Sequence, residues 1–310
     1  VSATRFAVSA PASSANLGAG FDAVALALEL RMTADVRVTG AGEQPAWSYG
    51  GSCAPTHDGI RRCLEEALRR IAGDAPSLAV TLRNEIPLGA GLGSSAAAYA
   101  LGAAIGLRLR GAERERERED AARTVVELEG HPDNALAAWF GGAVVAAHGH
   151  DGLTFARFAP PDVAALVVVP ELVLSTADAR ALMPASYARA DAVHNVQRAA
   201  LLGAALASGR VELLRAAVRD RLHHPYRAGA IPGLDEILEI DDPGLVAVAL
   251  SGAGPSVLAL VRRDDPAAPE RIAARVAAAF AAHGVRSRVL RPALARHGIL
   301  AEAPAPGTRG

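Results

Sequence analysis

The run Pro87-Leu88-Gly89-Ala90-Gly91-Leu92-Gly93-Ser94-Ser95-Ala96-Ala97-Ala98 constrains this chain more than any other segment. Three alternating glycines permit backbone conformations that a Cβ resists. The SSAAAYALGAA that follows is a good helix former, so the glycines deliver the chain to a helix N-terminus. Such an end carries unpaired N–H groups and partial positive charge, which suits a phosphate. Two serines in the first turn can cap the helix or reach a metal. A plain glycine loop with a serine cap accounts for one glycine and one serine, and not for the whole run.

The chain contains no lysine, so all 32 basic side chains are arginine. A Walker A phosphate lysine, a Schiff-base lysine and the β3 lysine of protein kinases are therefore excluded. A second glycine run, NLGAGFDA, sets Gly18, Gly20 and Ala23 in a GxGxxA arrangement. A dinucleotide fold needs such glycines directly after a strand, with an acid about 20 residues on. Here Pro11, Ser13, Ser14 and Asn16 intervene, and Asp35 lies inside a strand. The 310 residues are 51% apolar with mean hydropathy +0.19, which excludes disorder and predicts two domains or one large α/β unit. A net charge of −1 gives no reason to expect a nucleic-acid or anionic-membrane partner. Cys53 and Cys63 do not make a disulfide framework. No signal-peptide pattern opens the chain, and no apolar stretch approaches ~18 residues, so a cytoplasmic protein is expected.

Periodicity predicts a strand in TRFAVSAP ended by Pro11, a second at Thr33–Val38, and a helix over Gly59–Ile71 with Ile60, Leu64, Ala67, Leu68 and Ile71 on one face. A strand at Ser77–Arg83 precedes the glycine run, and a helix from Ser94 to about Leu109 follows it. The charged stretch Arg110–Arg123 reads as a solvated helix face. Glu129–Asn134 is a polar knot between apolar segments. Strands at Ala143–Ala147 and Leu153–Phe158 flank HGHDG, whose glycines make a turn rather than a metal site. Pro160-Pro161 marks the expected domain boundary: 1–160, 161–302, and an unordered tail at 303–310. Beyond it come strands at Ala164–Val169, Leu245–Leu250, Ser256–Val261 and Ser287–Leu290. Helices are expected near Ala177–Leu182, Ala190–Ala207, Val211–Leu222, Leu234–Glu239 and Pro269–Ala282.

PLGAGLGSSAAA resembles the phosphate loop of the GHMP kinases, a family of small-molecule kinases. APASSANLGAGFD (Ala10–Asp22) and LSGAGPSV (Leu250–Val257) resemble the family's first and third motifs, in the right order. The form of the first motif, with EGHPDN (Glu129–Asn134), PELVLSTADARALMP (Pro170–Pro184), HNVQRAALL (His194–Leu202) and DRLHHPYRAGAIPG (Asp220–Gly233), is similar to the homoserine kinase branch. The likeness runs to about Leu290. Gly59-Ile60 departs from it, standing where the family often has Asn-Leu beside adenine.

The resemblance implies an α+β fold of two domains: an N-terminal α/β domain of the ribosomal-protein-S5-like kind and a C-terminal ferredoxin-like domain, with ATP and substrate between them. It implies ATP-dependent phosphorylation of the L-homoserine hydroxyl, the step before threonine, with Mg²⁺ and a homodimer. Residues 87–97 would bind the nucleotide, with Gly91–Ser95 cradling its phosphates through backbone N–H groups. Ser95 and Glu129 would face Mg²⁺, whose preference is for hard oxygens. Arg180 and Arg227 would take the substrate carboxylate, for which an arginine fork is suited. Asp22 with Asn16 would take the ammonium. His131, Asn134 and Gly252 would complete the substrate site, with Asn134 at the hydroxyl. His194 and Asn195 read equally as a satisfied core pair, and His223-His224 as shaping the approach to Arg227. Two alternatives are a mevalonate- or sugar-type GHMP kinase and an inactive sensing relative. The first would want a Lys or Arg in motif one and the second eroded motifs, and neither is seen.

Overall fold

The computed structural model describes residues 5–39, 45–51, 58–74, 76–112 and 114–302; Cys53 and the tail 303–310 lie outside them. The first half supplies β1 (Arg5–Ala15), β2 (Val24–Val38), β3 (Ala46–Gly51), α1 (Asp58–Ala72), β4 (Leu78–Asn84), α2 (Ser94–Arg110), α3 (Glu115–Glu129), α4 (Pro132–Phe140), β5 (Ala143–Gly149) and β6 (Gly152–Phe158). The second supplies β7 (Ala164–Pro170), α5 (Thr176–Ala181), α6 (Arg189–Ser208), α7 (Leu214–Ala217), α8 (His224–Ala228), α9 (Leu234–Leu238), β8 (Leu245–Leu250), β9 (Val257–Val261), α10 (Ala268–Ala282), β10 (Ser287–Leu290) and β11 (Leu300–Glu302). One sheet runs β11-β1-β2-β4-β3, with β5 on β2 and β6 on β5; the other runs β10-β7-β9-β8. The break at Pro160-Pro161 separates the strands of the two sheets except for β11, which returns to pair antiparallel with β1.

In the second sheet β7, β8 and β9 are buried on both faces, which explains their unbroken apolar runs; the edge strand β10 is half-exposed. Along β7, Leu166 and Val168 face α9 and α10, while Ala165, Val167 and Val169 face the first core with Leu202 and Leu206 of α6. That is the period of two that alternating Cβ directions impose. Helix α2 is apolar all round and buried over most of its length, as a central helix must be. A Cβ at Gly102 would sit 2.1 Å from the Leu64 carbonyl oxygen, so this glycine is what lets α1 pack directly against α2.

Several sequence expectations change. β1 does not stop at Pro11: it continues to Ala15, with the register slipping between Pro11 and Ala12. A bulge tolerates a residue that cannot donate to the ladder. The helix expected over Val211–Leu222 is a 3₁₀ turn at Val211–Leu213, the single turn α7, and then a turn around Asp220. The charged stretch is divided by Gly111, which ends α2 with φ 63°. Strands β3 and β11 and helices α4 and α8 are additions, and β2 begins at Val24 rather than at Thr33.

Candidate active site

Three turns meet where the two sheets adjoin. The first leaves β1 at Asn16, whose φ is 70°, and reaches Asp22, whose φ is 55°. Left-handed backbone is open chiefly to Gly, Asn and Asp, and the Asn16 Oδ1 atom locks this turn by accepting from the Asp22 N–H at 2.9 Å. The second is the glycine run. The third is Ser251–Gly254. The Gly252 N–H donates to the Ala15 carbonyl at 3.0 Å, Asn16 Nδ2 to the Gly252 carbonyl at 2.8 Å, and Ser251 Oγ to the Gly91 carbonyl at 2.8 Å. A Cβ on Gly91 would lie 2.2 Å from the Ser251 carbonyl oxygen, and one on Gly93 2.1 Å from Ser13 Oγ. These two glycines are therefore required by close approach as well as by positive φ.

Gly93 starts α2 with φ 66°, and no side chain caps that end. The first-turn N–H groups open into a cavity of about 130 Å³ lined by Gly89, Gly91, Leu92, Gly93, Ser94 and Ser95. No acid stands in the first turn to compete with an anion. Ser95 Oγ donates to Glu129 Oε1 at 2.9 Å. Glu129 is the last residue of α3, where the helix dipole disfavours an anion, and Gly130 ends the helix at once. Burial pushes the Glu129 carboxyl up to about 7, against the pull of the Ser95 bond. A carboxyl with no cationic partner among the described residues in so adverse a place, beside a hydroxyl, is a donor set of hard oxygens that fits Mg²⁺.

His131 precedes α4, and burial, then the charge of Arg180, lowers its pKa. Asn134 lies in the first turn, its Oδ1 accepting from Ser13 Oγ at 2.8 Å, so its amide orientation is set from β1. Asp133 is 1% exposed, and its Oδ1 accepts from the Asn134 N–H at 2.7 Å. Burial pushes this carboxyl up to about 7.

Arg180 on α5 reaches the first turn, its Nη2 lying 2.9 Å from Asp22 Oδ1. Arg227 on α8 is 1% exposed. Its Nη1 contacts His223 Nδ1 at 3.1 Å and the Gly252 carbonyl at 3.0 Å, and its guanidinium carbon lies 5.4 Å from the Phe21 ring centre. Its Nε is buried without a hydrogen-bond partner, and no carboxylate among the described residues is within ion-pair distance. Burial, and secondarily the charge of Arg180, lowers its pKa. Asp22 and Asp220 offset this only in part; a buried guanidinium with no ion pair is costly, and its presence here suits an anionic group from outside.

Asn16, Asp22, His131, Asn134, Arg180, Arg227 and Gly252 all line this one cavity, with Ser95 and Glu129. Pro87, Leu88, Ala90, Ala96 and Ala97 do not; Ala90, Ala96 and Ala97 are core residues that hold the loop from beneath. Leu174, Ser175, Thr176, Asp133, Ala253 and Gly254 also line it. Ser175 and Thr176 stand in the STADAR segment with Arg180. Neither His194 nor Asn195 lines the cavity.

The sequence profile described as "GHMP kinases N terminal domain" matches residues 59–142, and "GHMP kinases C terminal" matches 202–282. A homoserine kinase of Solibacter usitatus is 42% identical over 270 residues, 83% of this chain and 86% of that protein. One of Deinococcus radiodurans is 43% identical over 83% of this chain and 84% of that protein. The crystal structure of homoserine kinase from Cytophaga hutchinsonii superposes with a TM-score of 0.83 at 26% identity, covering 96% of this chain and 97% of that one. Lactococcus lactis galactokinase, at 14% identity and a TM-score of 0.66 over 96% of this chain and 95% of that one, shares the fold. With its two α+β units, its three converging loops and relatives this similar over most of its length, the chain belongs to the GHMP kinases, in the homoserine kinase branch.

Proposed function

We propose that this protein transfers the γ-phosphoryl group of ATP to the side-chain hydroxyl of L-homoserine, giving O-phospho-L-homoserine and ADP. The observation that carries the substrate is a cavity with opposite charges on one side and an uncapped helix N-terminus on the other. An amino acid carries an ammonium and a carboxylate; Asp22 with Asn16 suits the first, Arg227 and Arg180 the second. The first-turn N–H groups of α2 and the loop Gly91–Ser95 hold the phosphates. Ser95 and Glu129 would hold Mg²⁺, which when bound neutralises phosphate charge. Residues 1–160 form the nucleotide-binding unit and 161–302 the second domain, the latter lending β11 to the first sheet.

Phosphoryl transfer asks for positioning and charge neutralisation more than for covalent chemistry. Asn134, aimed by Ser13, orients the acceptor hydroxyl. An amide cannot take its proton. Asp133 is turned to its own backbone and Asp22 is neutralised by the ammonium, so the proton passes late to the γ-phosphate oxygen in a loose transition state.

ADP release in the presence of Mg-ATP tests the reading. L-homoserine is expected to be the preferred acceptor; equal or better turnover of mevalonate or galactose would overturn it. The reading carries with it a homodimer in the cytoplasm, and sedimentation of the purified protein tests the dimer. Among the described residues no helix is long and apolar enough to cross a membrane.

A further inference from the structure

Behind Arg227 lies a buried polar cluster that the proposed reaction does not touch. We infer that Asn195 and Asp220 are positioning residues that aim the Arg227 guanidinium at the substrate carboxylate. The inference rests on the homoserine reaction proposed above.

Asp220, His223 and His224 offer ligand atoms within 4.8 Å of one another, a spacing that a metal ion could use. Their lone pairs are committed elsewhere. Asp220 Oδ1 accepts from Asn195 Nδ2 at 2.7 Å and from the Leu222 N–H at 3.1 Å. Its Oδ2 accepts from the N–H groups of His223 at 2.8 Å and His224 at 2.7 Å. His223 Nε2 lies 2.9 Å from the Gly18 carbonyl oxygen, which can only accept, so Nε2 carries the proton. Nδ1 is then bare and accepts from Arg227 Nη1 at 3.1 Å. His224 Nε2 accepts from the Leu250 N–H at 3.3 Å, so its proton is on the other nitrogen.

The direction of these bonds gives the cluster its purpose. Helix α8 has five residues, too few to hold itself. Its leading N–H groups receive the Asp220 carboxylate, which acts as the cap that no neighbouring side chain provides. Arg227 follows within one turn, its N–H donating to the His223 carbonyl at 3.0 Å. Asn195, on α6 and 3% exposed, joins this turn to α6: Nδ2 donates to Asp220, and Oδ1 accepts from the Arg221 N–H at 2.8 Å. The guanidinium is thus held at one end by its helix and at Nη1 by His223 and the Gly252 carbonyl. Its Nε edge remains without a partner. Carboxylate recognition by an arginine fork depends on angle as well as charge, so loosening the cluster should mis-aim Arg227 without altering the nucleotide loop.

The experiment compares two acceptors: L-homoserine and 3-aminopropan-1-ol, the same amino alcohol without the carboxylate. Asn195→Ala and Asp220→Asn are expected to lower kcat/KM for homoserine by about 10- to 100-fold, mostly through KM. KM for ATP should stay within about twofold, and kcat/KM for 3-aminopropan-1-ol (or its inhibition constant against homoserine, if turnover is slow) should not move. The exchange Asn195→Asp with Asp220→Asn keeps one donor–acceptor pair between the two positions and should recover part of the loss. It also provides a folded variant if Asp220→Asn alone does not fold. Equal losses on both acceptors, or an unchanged KM for homoserine, would overturn the inference. A wild-type enzyme that does not use homoserine at all would overturn the functional reading itself, and this inference with it.

Discussion

Arg180 Nη2 and Asp22 Oδ1 are 2.9 Å apart, so the two side chains assigned to opposite ends of a zwitterion are paired with each other. The pair joins α5 to the first turn across 158 residues of chain. Both side chains are more than a third exposed, at 40% and 38%. An ion pair so placed is worth only about 0–1 kcal/mol, so an incoming ammonium and carboxylate can exchange for it at little cost. Arg180→Ala should therefore leave the melting temperature nearly unchanged and lower kcat/KM for homoserine by about 10- to 150-fold. Near-normal homoserine kinetics in this variant would remove Arg180 from the carboxylate site.

Arg227 should behave differently. Its charge is buried without a carboxylate, so an apolar residue of similar length relieves a desolvation penalty. Arg227→Met is expected to melt near the wild-type temperature, the relieved desolvation offsetting the hydrogen bonds lost to His223 Nδ1 and the Gly252 carbonyl, while losing about 10- to 150-fold in kcat/KM for homoserine. Thermal denaturation and steady-state kinetics on one preparation check both halves. A large loss of stability would mean that the guanidinium supports the fold rather than the substrate.

Ser95→Ala and Glu129→Gln should both lose turnover through weaker use of Mg-ATP. The measurement is initial rate against free Mg²⁺ at saturating homoserine. A wild-type Mg²⁺ dependence in Glu129→Gln would take that residue out of the site.

Asp133→Asn should retain most of kcat. A true general base is worth typically 10²–10⁴-fold, so a thousandfold loss with intact substrate binding would make Asp133 the base. A second readout comes from its carboxyl, raised to about 7 by burial. The folded protein keeps a proton there that the unfolded chain gives up near pH 4, so unfolding releases a proton between about pH 4 and 7 and stability falls as pH rises through that window. Asp133→Asn should lose its share of that decline and gain on the wild type as the pH is raised to 8, in denaturant titrations, while the Glu129 carboxyl, also raised to about 7 by burial, keeps the remainder.

Much of the site is legible in the sequence because it is local: turns carry their own glycines, and Asn16, Asp22, Ser95 and Glu129 stand in or beside them. Helix α1 is legible for a related reason, since Ile60, Leu64, Ala67 and Leu68 recur at helical spacing and all are buried. What escapes is set by distant partners. β3 is AWSYGG, weak by composition, and owes its strand to parallel pairing with β4. The segment after Leu214 has a helix-like pattern, yet Asp220 draws four N–H groups to itself and ends it. Nothing near Asn195 in the sequence says that its amide reads Asp220 and Arg221. Pro11 misleads because a proline stops a strand only where its nitrogen is needed as a donor.

The return of β11 to β1 bears on how the molecule is made. Leu300 pairs with Ser9, Leu294 bridges to Leu28, the Ala295 N–H donates to the Ala27 carbonyl, and Arg31 Nη2 donates to the Gly298 carbonyl. On the ribosome the first sheet must wait, with one flank of β1 bare, until some 290 further residues have been synthesised. Over that interval the nascent chain carries an open strand edge of the kind that pairs with neighbours. Shortening or weakening residues 294–302 would therefore bear on chaperone demand during translation as well as on the finished fold, whose core takes in Leu294, Ala295 and Ile299.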